Sequence, residues 1–141
     1  MAQDISARLL AIVDALPLRQ GMRVLEIGCG PGAMAREMAR RIGAGKVVGI
    51  DRSAKAIALA RAGSAPEMAS DVLDFRQSAI EDFTLRTEEA PFDLVVAVRV
   101  GALDGRHPQA GEKARAAIAR ALGANGQLYI DGKAAQWVQR D

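Results

Sequence analysis

The sequence predicts an α/β fold built on a doubly wound, mainly parallel sheet. Short apolar runs alternate with stretches of helical periodicity along the chain, as strands joined by crossover helices require. The first strand-like run, "VLEIG", passes into glycines at 28, 30 and 32 and then into a helical pattern. The second, "KVVGID", closes on an acid, Asp51.

Each element has its own signal. Ile5, Leu9, Ile12, Val13 and Leu16 recur at helical spacing and predict an amphipathic helix that stops near Pro17. "MRVLEIG" (22–28) reads as a buried strand. "PGAMAREMARRIG" reads as a helix with Met34, Met38 and Ile42 on one face, ended by Gly43 and Gly45. "KVVGID" (46–51) is a second strand, and Ser53 caps the helix "AKAIALARA". "GSAPEMASD" reads as a polar connection to a third strand, "VLDFRQS". "FDLVVAVRV" (92–100) is the most apolar strand. Pro108 opens a helix that buries Ala114, Ile118, Ala121 and Leu122, and "GQLYIDG" (126–132) is a fifth strand. Trp137 and Val138 suggest a final helical turn.

The chain has 141 residues and reads as a single domain, 1–141, with no linker, repeat or low-complexity segment. Its formal charge of +2 is too small to argue for nucleic acid or a membrane surface. With Cys29 as the only cysteine, no internal disulfide forms, which favours a reducing compartment. The opening segment interleaves Asp4, Arg8 and Asp14 with its apolar residues, unlike a secretory signal, and no run is long enough to span a bilayer. The expected setting is cytoplasmic, with no metal site.

Gly28, Gly30 and Gly32 permit positive φ and close approach of a ligand to the backbone. The helix that follows offers free N–H groups and a partial positive charge. A dinucleotide pyrophosphate and an adenosyl ligand without phosphate both suit such a loop. Gly28, Gly30 and Ala33 meet the relaxed dinucleotide pattern, and Asp51 stands about 20 residues on, where a ribose-binding acid belongs. Glu26 separates the two: a carboxylate at the strand end repels a pyrophosphate and suits an ammonium or sulfonium. Glu26 bonded merely to the loop backbone is the plainer alternative.

"VLEIGCGPG", "VVGIDRS", "FDLVVA" and "LGANGQLYI" resemble, in order and spacing, the class I S-adenosylmethionine-dependent methyltransferases over roughly residues 20 to 132. The resemblance implies a Rossmann-like sheet of strand order 3-2-1-4-5 and S-adenosylmethionine as cofactor, with S-adenosylhomocysteine as product. It implies that Glu26 and the Gly28, Cys29, Gly30 and Gly32 backbone face the methionyl part and that Asp51 receives the ribose hydroxyls. Arg52 falls where the family has an apolar residue against adenine; its planar guanidinium either stacks on that ring or is solvated. The adenine-edge acid of the family is replaced by Ala79, or by Ser78 in the other alignment, with the Ile80 N–H still available. Glu81 and Asp82 read as a solvated helix start. Cys29 reads as a small residue fitting a crowded loop, not as a nucleophile.

Methyl transfer from a sulfonium needs an aligned nucleophile and exclusion of water, and a general base only if the acceptor is protonated. "RVGALDGRHP" (99–108) follows the fourth strand, where the family places acceptor-side residues. Arg99 is a candidate for cofactor or acceptor contact, and Asp104 and His107 are the catalytic candidates; a His before Pro108 also suits a plain turn. The segment lacks the Asn-Pro-Pro-aromatic and Pro-Cys signatures, which argues against DNA adenine, DNA cytosine and protein glutamine as acceptors; a small-molecule acceptor is the expectation, with nucleic acid not expected. Full family members continue past strand 5 with a helix and an antiparallel strand pair, whereas "GKAAQWVQRD" closes this sequence. That leaves strand 5 as a sheet edge, covered in part by Trp137 and Val138 or by a second subunit, and a homodimer through that edge or the C-terminal segment is the expectation. A non-catalytic cofactor-binding subunit and an NAD-binding oxidoreductase fragment are the alternative functions.

Overall fold

The structure is a computed structural model that describes residues 5–103 and 108–135. Eleven helices and strands follow in order: α1 (Ala7–Asp14), β1 (Arg23–Ile27), α2 (Ala33–Ile42), β2 (Lys46–Asp51), α3 (Ala54–Ala62), α4 (Ala65–Ala69), β3 (Leu73–Gln77), β4 (Phe92–Ala97), α5 (Pro108–Ala121), β5 (Leu122–Ile130) and β6 (Lys133–Ala134). Single 3-10 turns cover Ile80–Asp82 and Gly101–Leu103. The sheet order is β3-β2-β1-β4-β5-β6, parallel throughout except for the last pair.

Strand periodicity sorts the core onto two faces of the sheet. Val24, Val47, Leu73, Phe75, Leu94 and Val96 pack with α1, α2 and α3 through Val13, Met34, Met38, Ile42 and Ile57. Leu25, Ile27, Val48, Ile50 and Val95 meet Ala114, Ala117 and Ile118 of α5 on the other face. The caps follow the local sequence. Ser6 and Ser53 each accept a backbone N–H three residues on, from Leu9 and Ala56. Arg40 and Arg41 occupy the last turn of α2, where the helix dipole favours cations.

The structure corrects the reading of the chain in four places. Leu122, read on the buried face of the fifth helix, instead opens β5, which begins before the expected 126. "APEMA" is a short helix, α4, because Pro66 at its first turn needs no helical hydrogen bond there. Strand 4 ends at Ala97 rather than at residue 100, since Arg99 turns into the left-handed region at φ 55°. Strand 5 is not the last strand. Its register slips between Phe92↔Leu122 and Leu94↔Gln127, after which Asp131 and Gly132, both at positive φ, reverse the chain into β6. Asp-Gly is the sequence that a two-residue hairpin of this hand requires. β6 pairs antiparallel with Tyr129 and Ile130, so part of the edge that motivated a dimer is already covered. Trp137 and Val138 lie outside the described residues.

Candidate cofactor site

β1, β2 and β4 all deliver their carboxyl ends to one side of the sheet, where parallel α/β proteins bind ligands. The β1–α2 loop stands at the centre. Gly28, Gly30 and Gly32 have φ of 73°, 53° and 92°, a left-handed series that only glycine adopts without strain. At Gly32 the requirement is also spatial: a Cβ there would lie 2.9 Å from the Phe75 ring and 3.0 Å from Arg36 Nη1. Gly32 is the N-cap of α2 and provides no side-chain cap.

Asp51, the last residue of β2, grips this loop. Its Oδ2 accepts the Gly30 N–H at 2.9 Å and its Oδ1 accepts the Ser53 N–H at 2.9 Å. One carboxylate therefore fixes the glycine loop and the start of α3 together, and each oxygen keeps a lone pair.

Glu26 is the fourth residue of β1, opposite Gly49 on β2 and Val96 on β4. It shares a sheet face with Asp51 and is 4% exposed. Its Oε1 is buried with no hydrogen-bond partner among the described residues. Burial first, and the neighbouring Asp51 charge second, push its carboxyl up to about 8, while the Arg36 guanidinium pulls the other way. The plainer alternative, Glu26 spent on the loop backbone, does not account for that open oxygen. A buried carboxyl oxygen without a donor beneath a glycine loop fits a group that carries an ammonium.

A cleft of about 530 Å³ opens beside the loop. Of the residues singled out in the sequence, Gly28, Asp51, Arg52, Ala79, Ile80 and Arg99 line it. Ser78, the other alignment at the adenine edge, lines it too, and its hydroxyl donates to the Ala79 carbonyl at 2.8 Å, leaving the oxygen free to accept. Glu26, Cys29, Gly30 and Gly32 are not on the cleft wall but in the loop and strand that support it. Glu81, read as solvated, is half-buried and lines the cleft. Ile27, Val98, Val100, Gly101 and Ala110 complete the wall; their signals were the apolar runs of the first and fourth strands, the segment that follows the fourth, and the small residue early in α5. Arg99 is exposed, and its N–H donates to Asp131 Oδ1 at 2.9 Å, tying the end of β4 to the β5–β6 turn. Asp104 and His107 lie outside the described residues. Cys29 is buried, and burial, Glu26 and Asp51 together push its thiol far up, the opposite of an activated nucleophile.

A broader hollow of about 770 Å³ lies across the amino ends of β1, β2 and β3. Its charges are largely matched within it: Glu89 takes both ends of Arg76 at 3.0 and 2.6 Å and also pairs with Arg23, and Lys46 pairs with Asp71 at 2.6 Å. It offers a ligand no open charge comparable to Glu26. Among the described residues no cluster of three His, Cys, Asp or Glu is arranged to hold a metal, and no helix is long and apolar enough to cross a membrane.

Residues 18–137 match the methyltransferase domain family. The chain is 38% identical over 90 residues to the trans-aconitate 2-methyltransferase of Streptomyces avermitilis, covering 64% of this chain and 32% of that protein. It is 34% identical over 97 residues to a ubiquinone biosynthesis O-methyltransferase of Neisseria meningitidis serogroup C, covering 69% of this chain and 40% of that one. The chain thus spans about a third to two fifths of these relatives. In fold it is similar to a methyltransferase from Thiobacillus denitrificans solved with S-adenosylhomocysteine, at TM-score 0.68 and 20% identity over 90% of this chain and 48% of the other. The glycine spacing alone left two ligand classes open, and the family match decides between them: this chain belongs to the class I S-adenosylmethionine-dependent methyltransferases.

Proposed function

We propose that this chain binds S-adenosylmethionine at the β1–α2 loop and transfers its methyl group to a small organic acceptor. The observation that carries the reading is the buried, partnerless Glu26 Oε1 beneath a left-handed glycine loop at the carboxyl ends of the strands. When bound, the cofactor supplies an electrophilic methyl on a sulfonium. The residues divide the work of holding it. Glu26 and the Gly28–Gly32 backbone take the methionyl end, and the free lone pairs of Asp51 receive the ribose hydroxyls. Ser78, Ala79 and Ile80 edge the adenine, with the Ser78 oxygen accepting from its amino group in place of the family's acid. Arg52 lies over the ring. Arg99, on the far wall, holds the acceptor or the cofactor's carboxylate. Asp104 and His107 are the groups proposed to take a proton from the acceptor, where it carries one.

The names of the relatives point to an acceptor that is a small carboxylic acid or an oxygen nucleophile. Incubation with S-adenosylmethionine and trans-aconitate, other polycarboxylates or simple catechols, reading S-adenosylhomocysteine formation, tests this. Turnover on one of these groups is expected. Cofactor binding with no turnover on any of them favours a non-catalytic cofactor-binding module instead.

A further inference from the structure

Arg99 owes its place on the cleft wall to a residue of the β5–β6 turn. It adopts φ 55°, a left-handed conformation that is costly for a residue with a Cβ and persists where its surroundings hold it. Asp131 supplies the hold. Its N–H donates to the Ala97 carbonyl at 2.8 Å, which carries the β4–β5 ladder one step past the Ala97↔Ile130 pair. Its Oδ1 accepts the Arg99 N–H at 2.9 Å. Asp131 is fixed in turn by the hairpin around it. It stands at φ 52°, which Asp tolerates, Tyr129 and Ile130 pair with β6, and a Cβ on Gly132 would lie 3.6 Å from Ile12 of α1. In consequence the chain after β4 does not alternate between the two faces of the sheet as a strand would: Val98, Arg99, Val100 and Gly101 all line the cleft.

This bond leaves the charge of Arg99 open. Asp131 takes the backbone N–H, and no ion pair among the described residues includes the guanidinium. The acids on the cleft wall, Asp51 and Glu81, stand at the end of β2 and after β3, and Asp51 already accepts two backbone N–H groups. β1 separates β2 from β4, so the end of β4 lies two strand spacings, about 10 Å, from that of β2. Asp51 and the Ser78–Ile80 edge are the places proposed above for ribose and adenine. The open cation falls on the other side, where an acceptor has room.

We propose that Arg99 recognises a carboxylate of the methyl acceptor, and that Asp131 is the positioning residue that presents it, acting through the Arg99 backbone. The acceptor class is then an oxygen nucleophile that carries a carboxylate, which the two parallel N–H groups of a guanidinium match. The proposal rests on the cofactor reading above and decides which of two carboxylates, the acceptor's or the cofactor's, Arg99 takes.

The test is calorimetry on the chain saturated with S-adenosylhomocysteine, using two pairs of probes that differ in the carboxylate: 3,4-dihydroxybenzoate against catechol, and trans-aconitate against its trimethyl ester. In at least one pair the carboxylate is expected to bind about tenfold or more tightly than its neutral counterpart, and Arg99→Met to abolish that preference. Asp131→Gly keeps the left-handed turn but releases Arg99, and is expected to lose about threefold or more of the preference, whereas Asp131→Asn, which keeps an acceptor oxygen, retains it. S-adenosylhomocysteine affinity is expected to stay within about twofold in all three variants, which a general loosening of the fold would not allow. No preference in either pair, or a preference that survives Arg99→Met, overturns the proposal. So does a loss of S-adenosylhomocysteine affinity in Arg99→Met with the acceptor preference intact, because the guanidinium then serves the cofactor. A full preference in Asp131→Gly overturns the positioning role. Should Asp131→Gly fold poorly, Arg99→Met still tests the recognition, since Arg99 is exposed. If the unaltered protein binds no S-adenosylhomocysteine, the cofactor reading itself fails, an outcome distinct from a cofactor complex that ignores the carboxylate.

Discussion

Asp51 Oδ2 accepts the Gly30 N–H at 2.9 Å, so the acid at the end of β2 holds in shape the loop at the end of β1. The sequence places these residues at the expected distance for a ribose acid and its glycine loop. The structure adds that the acid itself holds the loop in shape through its own hydrogen bonds. Asp51→Ala is therefore expected to do double damage. Loss of a charge-assisted bond of about 1.5–3 kcal/mol to each set of partners weakens S-adenosylhomocysteine binding by about one to two orders of magnitude and lowers stability as well. Asp51→Asn, which keeps one acceptor oxygen, falls between. Calorimetry and thermal melting on the same samples check both effects; a variant with unaltered binding contradicts the assignment.

Glu26 makes stability depend on pH. Its folded-state carboxyl sits near 8 against an ordinary 4.5, so the folded ligand-free protein holds that proton more tightly than the unfolded chain. The contribution is fully present below 4.5 and is lost as pH rises through about 8, with a slope of at most about 1.4 kcal/mol per pH unit. Glu26→Gln removes the titration. Its melting temperature is expected to exceed that of the unaltered protein at pH 8.5 and to match it near pH 4.5, while its affinity for S-adenosylhomocysteine falls. Parallel stability profiles of the two proteins contradict this.

Gly32→Ala tests the loop as a steric object. The left-handed φ and the 2.9 Å approach to Phe75 act together, so a loss of about 2 kcal/mol or more, roughly 5–10 °C in Tm, is expected by thermal denaturation. A neutral result means that the loop relaxes and that Phe75 does not set its path.

Cys29 is expected to resist alkylation. Its thiol is buried and held protonated by burial and two carboxylates, so iodoacetamide should modify the folded protein about a hundredfold more slowly than the unfolded chain. Rapid labelling of folded protein would restore the nucleophile that the sequence reading set aside.

Much of this was legible because periodicity and turn chemistry are local. β2 runs over the six residues read from "KVVGID", and Ser53 caps α3 as its position before an apolar pattern required. The β5–β6 hairpin was equally local: "DG" between strand residues is its signal, and reading it as strand left an edge that the chain itself partly covers. Arg36 was illegible for a different reason. A charged residue in a helical pattern reads as solvent-facing by default, and only the meeting of α2, Pro31 and the α3–α4 junction puts it inside. The place of Glu81 on the cleft wall likewise depends on how the chain turns after β3.

The central claim is that the glycine loop, Glu26 and Asp51 form a site for the adenosyl and methionyl halves of one cofactor. Calorimetric titration of the chain with S-adenosylhomocysteine tests it most directly. The account predicts saturable binding at one site per chain, tightening as pH rises toward 8 and weakened by Asp51→Ala. No binding at millimolar ligand across that pH range contradicts it.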